Sequence, residues 1–323
     1  MKAVRIHEYG GPDKLLYEDV EKPSPGPAQV LVSVRAASVN PVDVAIRENR
    51  FPTPKQPPKT LGSDGAGVVE QVGDDVSSVV TGDAVMFSGL GIGSEGSYAE
   101  YALLAEAQAV PKPPSLSFEE AAAMGLVFPT AYYALVRRAA LQPDETVLVQ
   151  GAAGGVGSAA VQLAKALGAH VIGTVSNEVD AQRVRELGAD EALVRGTADV
   201  PAEVRRLTKA RGADLIVEVA ADENLQADLL SVAKGARIVV VGTGSPELPI
   251  QVGQAGSQDV GLLFMSSGNA GRAGVAAIMR EIGELAEAGK VRPVVGRVFP
   301  LSEARRAHEL LAGHHFGKLV LVP

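Results

Sequence analysis

The chain has 323 residues, comfortable for two domains, and is 46% apolar with only 4% aromatic, so its cores must be built of Ala, Val, Leu and Ile. A net charge of -8 without runs of like charge argues against a nucleic-acid partner, which needs a basic face. The absence of cysteine excludes disulfides, thiol nucleophiles, iron–sulfur clusters and thiolate zinc sites together.

The opening MKAVRIH carries charges and no apolar centre, so it does not read as a secretory leader, and no apolar run reaches the length of a membrane span. A cytoplasmic protein without membrane contact is the expectation. Residues 4–6, 15–20 and 29–35 read as strands, separated by Gly10-Gly11-Pro12 and by the prolines between 23 and 27. A helical turn is expected at 43–47 after Asn40-Pro41, then a proline-rich loop at 51–58 that cannot join a sheet interior. Glycine-bounded strands follow at 62–73 and 82–87, a loop at 89–96 and a strand at 98–105. None of these stretches fits the G-x-S-x-G of a hydrolase nucleophile elbow. Ser117 and Glu120 have the spacing of a capping box, and helical material continues through 130–135 towards Pro143.

Residues 145–150 form a β-branched apolar run closed by Gly151-Ala152-Ala153-Gly154-Gly155-Val156-Gly157. Val156, Ala160, Leu163 and Leu167 then recur at helical spacing up to Gly168, and a second strand fills 170–175. Strand, glycine turn, helix, strand is the context in which a glycine motif binds a dinucleotide, because the turn brings N–H groups and a positive helix end to a pyrophosphate. Against G-x-G-x-x-G the three positions are Ala152, Gly154 and Gly157. Gly154 admits the pyrophosphate and Gly157 lets the helix lie close, while Ala152 departs from the pattern at the tight turn. The second strand ends in the neutral Ser176-Asn177 rather than in the carboxylate that holds a ribose 2′-OH. Arg195 could fork onto a 2′-phosphate, which favours NADPH; Glu178 and Asp180 stand against it.

Beyond that point a helix opening near Pro201 and running to 209, strands at 213–220, 237–242 and 261–266, and a helix at 224–233 extend the alternation to six strands of a doubly wound parallel sheet. In the tail, Val275, Ile278, Ile282 and Leu285 mark an amphipathic helix ended by Gly289. Val294-Val295, a short helix at 302–312 and a strand at 317–322 follow, and the closing strand is expected to rejoin a sheet that composition does not identify. The five histidines are scattered, and the adjacent pair His314-His315 reads as loop without a metal role.

Six pieces, residues 7–12 (HEYGGP), 37–43 (ASVNPVD), 62–69 (GSDGAGVV), 96–101 (GSYAEY), 152–157 (AAGGVG) and 316–318 (FGK), are together specific. With them the chain, over nearly its whole length, resembles the zinc-independent medium-chain dehydrogenase/reductases in their quinone oxidoreductase branch, which includes zeta-crystallin. The resemblance implies an α/β fold: a GroES-like β-barrel catalytic domain at 1–124, completed by 267–323, and a Rossmann NADP-binding domain at 125–266, with the active site in the cleft between them. It implies reduction of a small quinone or activated alkene (enone) by direct hydride transfer from NADPH. Asn40 and Ser63 stand where zinc-dependent relatives carry Cys and His, so no metal is expected and the Lewis acid of an alcohol dehydrogenase is missing.

The resemblance places Asn40, Asp43, Thr130 and Tyr133 around nicotinamide and acceptor, Asn40 donating its amide N–H to the acceptor oxygen and Thr130 holding the nicotinamide amide. With the glycine turn, the cofactor set is Ala153, Gly154, Gly155, Val156, Ser176, Arg195, Ala220, Gly242, Phe264, Phe316, Gly317 and Lys318. A homodimer through the edge of the nucleotide-domain sheet, near Leu262-Leu263-Phe264, is also implied. The chain departs from many relatives at Asp180, where they carry a phosphate-pairing lysine, at Arg195, where they often carry tyrosine, and at Ala45, where several carry an aromatic. If Arg195 replaces the lysine, NADPH preference survives; otherwise NADH competes. Two other readings stay open. One is an enoyl-thioester reductase, whose phosphopantetheine arm would need basic residues such as Arg47, Arg50, Lys55 and Lys59. The other is a non-catalytic NADPH-binding or sensing module.

Overall fold

Period-two patterning at the start of the chain resolves into short strands. In the computed structural model, which describes residues 1–323, β1 (Lys2–Ile6) pairs antiparallel with β2 (Leu16–Asp19), and β3 (Gln29–Val39) leads into α1 (Pro41–Arg47). Pro41 occupies the first helical position, where its missing N–H costs nothing. Beyond the proline-rich loop come β4 (Lys59–Thr60), β5 (Asp64–Val72), β6 (Ala84–Ser88), β7 (Tyr101–Ala105) and β8 (Val110–Pro111). The helix α2 (Phe118–Met124) opens with the expected capping box: the Glu120 N–H donates to Ser117 Oγ at 3.2 Å and the Ser117 N–H to Glu120 Oε2 at 2.9 Å.

The chain divides into two compact units, Met1–Pro129 with Ala270–Pro323, and Thr130–Asn269. Helix α3 (Val127–Tyr132) passes from one to the other and continues as a π-helical stretch, Tyr133–Arg138, which the helical period of the sequence does not announce. In the second unit, β9 (Thr146–Val149), α4 (Gly155–Ala166), β10 (His170–Val175), α5 (Glu178–Glu186), β11 (Glu191–Val194), α6 (Val200–Leu207), β12 (Ala213–Glu218), α7 (Ala221–Ser231), β13 (Val232–Val240), α8 (Val252–Ser257) and β14 (Gly261–Phe264) follow in turn. The six strands form one sheet in the order β11-β10-β9-β12-β13-β14, every neighbouring pair parallel. This is the doubly wound order, in which the winding reverses between β9 and β12 and ligands bind outside the carboxyl ends of the strands. All four residues of β9 are buried, as a central parallel strand requires.

Three features carry no legible pattern in the sequence: α5, α8 and the true start of β13. The buried face of α5 is only Asp180, Ala181 and Val184, too short a stripe to register as a period. At the start of β13, Val232 pairs with Ala213 but the register then jumps to Arg237 opposite Leu215, with Gly235 at φ +75 between them, so its first half carries no regular alternation.

In the tail, α9 (Gly271–Glu287) ends before Gly289 at φ +67, and β15 (Val295–Pro300), α10 (Ala304–Leu311) and β16 (Lys318–Val322) follow. The composition leaves the sheet joined by the last strand unidentified; the structure shows it to be that of the first unit. β16 lies antiparallel to the end of β3, Leu319 opposite Val39 and Leu321 opposite Ala37, and parallel to β15. The sheet runs β15-β16-β3-β5-β6-β8, while the start of β3 pairs with β7. Register shifts at Leu31/Val32 and Val34/Ala36 between β3 and β5 are bulges that bend the sheet around a core including Val32, Val85, Leu104 and Leu319. No helix is long and apolar enough to cross a membrane.

Candidate active site

In the second unit the glycine turn has the form its sequence demands. Gly151 takes φ +62, so the left-handed residue of the turn lies one place before Ala152, whose departure from glycine therefore does no harm. A Cβ on Gly157 would stand 2.1 Å from the Gly151 carbonyl oxygen and 2.8 Å from the Ala152 Cα, so only glycine lets α4 start this close to the turn. Gly154 is the N-cap of α4 and no side chain caps it, which leaves the first-turn N–H groups of Gly155 and Val156 as donors for an anion. Ala153 lies within the same turn.

Several of the expected cofactor residues of the unit stand at the carboxyl ends of strands in the same sheet. The Arg195 N–H donates to the Val175 carbonyl at 2.8 Å, which ties the end of β11 to the residue preceding the exposed Ser176. The Arg195 guanidinium is 40% exposed and lies 3.8 Å from Glu223. Asp180 is buried in the first turn of α5, where its carboxylate accepts the Asn177 amide at 3.1 Å while its N–H donates to Asn177 Oδ1 at 2.9 Å. Its charge is thus spent on the helix end. Ala220 and Gly242 follow β12 and β13, joined by the Ala221 N–H to the Gly242 carbonyl at 3.1 Å; a Cβ on Gly242 would meet the Val219 oxygen at 2.6 Å. Phe264 closes β14, 57% exposed. Thr130 Oγ1 lies 3.2 Å from Ser267 Oγ, and Tyr133 opens the π-helical stretch, both half-buried.

The first unit holds a different assembly, a buried polar cluster. Asp64, fully buried at the start of β5, accepts Ser38 Oγ at 2.8 Å, the Asn40 amide at 2.9 Å and the Leu126 N–H at 2.8 Å. Lys318, the first residue of β16, donates Nζ to Asn40 Oδ1 at 2.5 Å and to the Val39 carbonyl at 2.6 Å. Asp43 accepts Ser63 Oγ at 2.6 Å, Tyr98 Oη at 3.0 Å and the Asn40 N–H at 2.9 Å, the last as half of a capping box for α1. Tyr98 is reached by His308 Nε2 at 3.3 Å, and Arg47 Nη1 reaches His308 Nδ1 at 3.0 Å. Because a guanidinium only donates, Nδ1 accepts and the proton of His308 sits on Nε2.

Burial governs the charges here. It pushes Asp64 up to about 6, against the pull of Lys318. Burial also raises Asp43, opposed by the Ser63 and Tyr98 hydroxyls, and lowers Lys318, opposed by the two carboxylates. His308 is held down to about 3 by burial and then by the neighbouring Arg47 charge.

Two expectations change on this geometry. Asn40 is fully buried, its amide hydrogens are committed to Asp64 and to the Ser38 carbonyl at 3.2 Å, and its oxygen takes Lys318. It ties the cluster together and has no hydrogen left to donate to an acceptor oxygen. Lys318, expected among the cofactor residues, is instead the buried cation of this cluster, 4% exposed. Phe316 and Gly317 precede it, Gly317 at φ +70 with its Cβ position 2.6 Å from the Val294 oxygen. Asn40, Asp43 and Lys318 are therefore brought together in one unit, and Thr130, Tyr133 and the glycine turn in the other. Asp64 and Tyr98 are members the sequence reading passes over although they lie inside the matched pieces 62–69 and 96–101; His308 carries no such signal.

The model of the alcohol dehydrogenase GroES-like domain matches residues 26–114, and that of the zinc-binding dehydrogenases matches residues 155–281. A quinone oxidoreductase of Rattus norvegicus is 38% identical over 100% of this chain and 98% of its own. The solved structure of an NAD-dependent alcohol dehydrogenase superimposes with TM-score 0.92 at 36% identity, covering 100% of both chains. That of the Escherichia coli quinone oxidoreductase complexed with NADPH gives 0.91 at 28% identity, again over 100% of both.

The zinc that one of those descriptions implies does not fit the donors present. A tetrahedral zinc wants thiolate, imidazole or carboxylate ligands converging on an open point. Here the carboxylates of Asp43 and Asp64 already hold O–H and N–H donors, and the Asn40 oxygen faces an ammonium. A dinucleotide, in contrast, fits the uncapped start of α4 and its seat against Gly151.

Proposed function

The chain belongs to the medium-chain dehydrogenase/reductase superfamily, in its quinone oxidoreductase branch, and from that premise we propose that it reduces a small quinone or enone with NADPH and without a metal. It is an NADPH-dependent oxidoreductase. The observation that carries the metal-free reading is Lys318, whose ammonium sits on Asn40 where a zinc-dependent relative would need a ligand.

NADPH supplies the hydride when bound. The protein's share is to hold the pyrophosphate on the N–H groups of Gly155 and Val156, to offer Arg195 and Ser176 to the 2′-phosphate, and to orient the ring and acceptor through Thr130 and Tyr133. Asn40 and Asp43 act within this proposal as organisers of the buried cluster. The position of Asp180 supports NADPH, since its carboxylate is engaged at the start of α5.

The enoyl-thioester reading loses ground on its own candidates. Arg47 and Lys59 are buried at 2% and 0% exposure, and Arg50 and Lys55 are paired with Glu48 and Glu95 at 2.8 and 3.2 Å. The test is NADPH oxidation with benzoquinone against crotonyl-CoA, before and after exhaustive chelation. Turnover of benzoquinone should dominate and survive chelation; preference for the thioester, or loss of activity restored by zinc, would overturn the proposal. A cytoplasmic homodimer belongs to the same reading. What supports the dimer is β14, an edge strand that ends in the exposed Phe264; sedimentation as a monomer would remove it.

A further inference from the structure

The carboxyl ends of β9, β10 and β12 share a buried polar chain that none of the expected cofactor contacts uses. Gln150, Thr174, Glu218 and Asp228 are all buried, the last three at 0% exposure. Thr174 Oγ1 accepts the Gly151 N–H at 3.1 Å and donates to Gln150 Oε1 at 2.7 Å, and Gln150 Nε2 donates to Asp228 Oδ1 at 2.7 Å. At the far end Glu218 Oε1 accepts the Ala220 N–H and, at 3.2 Å, the Asn224 amide. The remaining oxygens, Asp228 Oδ2 and Glu218 Oε2, are buried acceptors without a donor if both groups are written as carboxylates. Two such orphans are costly, and a single proton between the carboxyls satisfies both. Burial and the adjoining Glu218 raise Asp228 far above the usual carboxylate range, which makes Asp228 the carrier.

We propose that Asp228 is a positioning residue for the dinucleotide: the proton it holds against Glu218 joins the glycine turn after β9 to the loop after β12 as one cradle. The inference rests on NADPH binding as read above and adds the residue that sets its geometry. From Gly151 through Thr174 and Gln150 to Asp228 each group donates to the next, and the shared proton carries that direction on to Glu218. Without it, two buried carboxylates repel, α7 is pushed from β12, and the displacement reaches Gly151 at one end and Ala220 at the other. The titratable group facing Asp228 is Glu218 from β12; the residue after β9, β10 and α7 present the neutral Gln150, Thr174 and Asn224, and Arg205 of α6 donates to the Leu230 carbonyl instead.

The experiment follows two quantities from neutral to alkaline pH: the Kd for NADPH by fluorescence, and the 15N shift of the Gly151 amide in the NADPH-free protein. In the wild type the Kd should rise about tenfold, equivalent to one lost hydrogen-bond-sized contribution, and the Gly151 shift should titrate with it. Asp228→Asn supplies an N–H to Glu218 and an oxygen to Gln150, so it should keep the neutral-pH affinity and lose both alkaline changes. Gln150→Leu leaves the pair intact but cuts the chain, so the Gly151 shift should cease to titrate. Identical alkaline profiles in wild type and Asp228→Asn would overturn the inference while NADPH still binds. Wild-type protein that binds no NADPH at any pH would instead overturn the reading of the cofactor, and this inference with it.

Discussion

At the scale of single residues, His308 shows what burial does to a group with an ordinary pKa of 6.5 that is held down to about 3. Through that window the unfolded chain takes up a proton that folded His308 refuses, so this contribution to stability is lost as pH falls, by about 1.4 kcal/mol per pH unit. Asp64 runs the other way. Its folded value near 6 lies above the ordinary 3.8, so its contribution is present at low pH and fades as pH rises through 6. His308→Gln should therefore lose less stability than the wild type between about pH 7 and pH 4.5, read from urea midpoints, and equal losses would reject the assignment. Arg195→Glu should weaken NADPH far more than NADH, because a phosphate partner becomes a repelling charge; equal effects on both cofactors would take Arg195 out of the 2′ site. The sequence shows Asn40 and Asp43 by resemblance but not what they touch. Lys318 reaches Asn40 across 278 positions and His308 reaches Tyr98 across 210, separations that no spacing rule spans.

At the scale of elements, the unit from β9 to β10 is legible because period, glycines and β-branched residues all point the same way. Its sharpest consequence is at Gly157. Gly157→Ala would set a Cβ 2.1 Å from a backbone oxygen, so the helix must withdraw from the turn. We expect a cost of about 1–3 kcal/mol in stability and a large rise in the Kd for NADPH. Titration and thermal melting check it, and an unchanged Kd would show that the close seat does not serve the cofactor. Elements with few apolar positions escape such reading. α5 is recognised in the structure by its cap, Asn177 holding the Asp180 N–H at 2.9 Å, rather than by any stripe.

At the scale of the molecule, the two units differ in how the chain supplies them. Thr130–Asn269 is one continuous run with its own core around Leu148, Ile216 and Ile238, so this fragment should fold alone and retain NADPH binding. Residues 1–129 alone should not fold, since they lack β16 beside β3 and leave Asp43 and Asp64 without Lys318. Circular dichroism melts of both fragments test this, and a cooperative melt of 1–129 would contradict it. Membership of the closing strand in the first sheet is the part of this organisation that composition alone leaves open, because an apolar strand of five residues fits many edges.

That closing strand also sets an order of events during synthesis. A nascent chain emerges N-terminus first and domains fold as units. The nucleotide-binding half is then complete while the barrel that precedes it still waits, with β3 exposing an unpaired edge, for residues 318–322 to leave the ribosome. Chaperone demand in this protein should accordingly fall on its earliest residues rather than its latest.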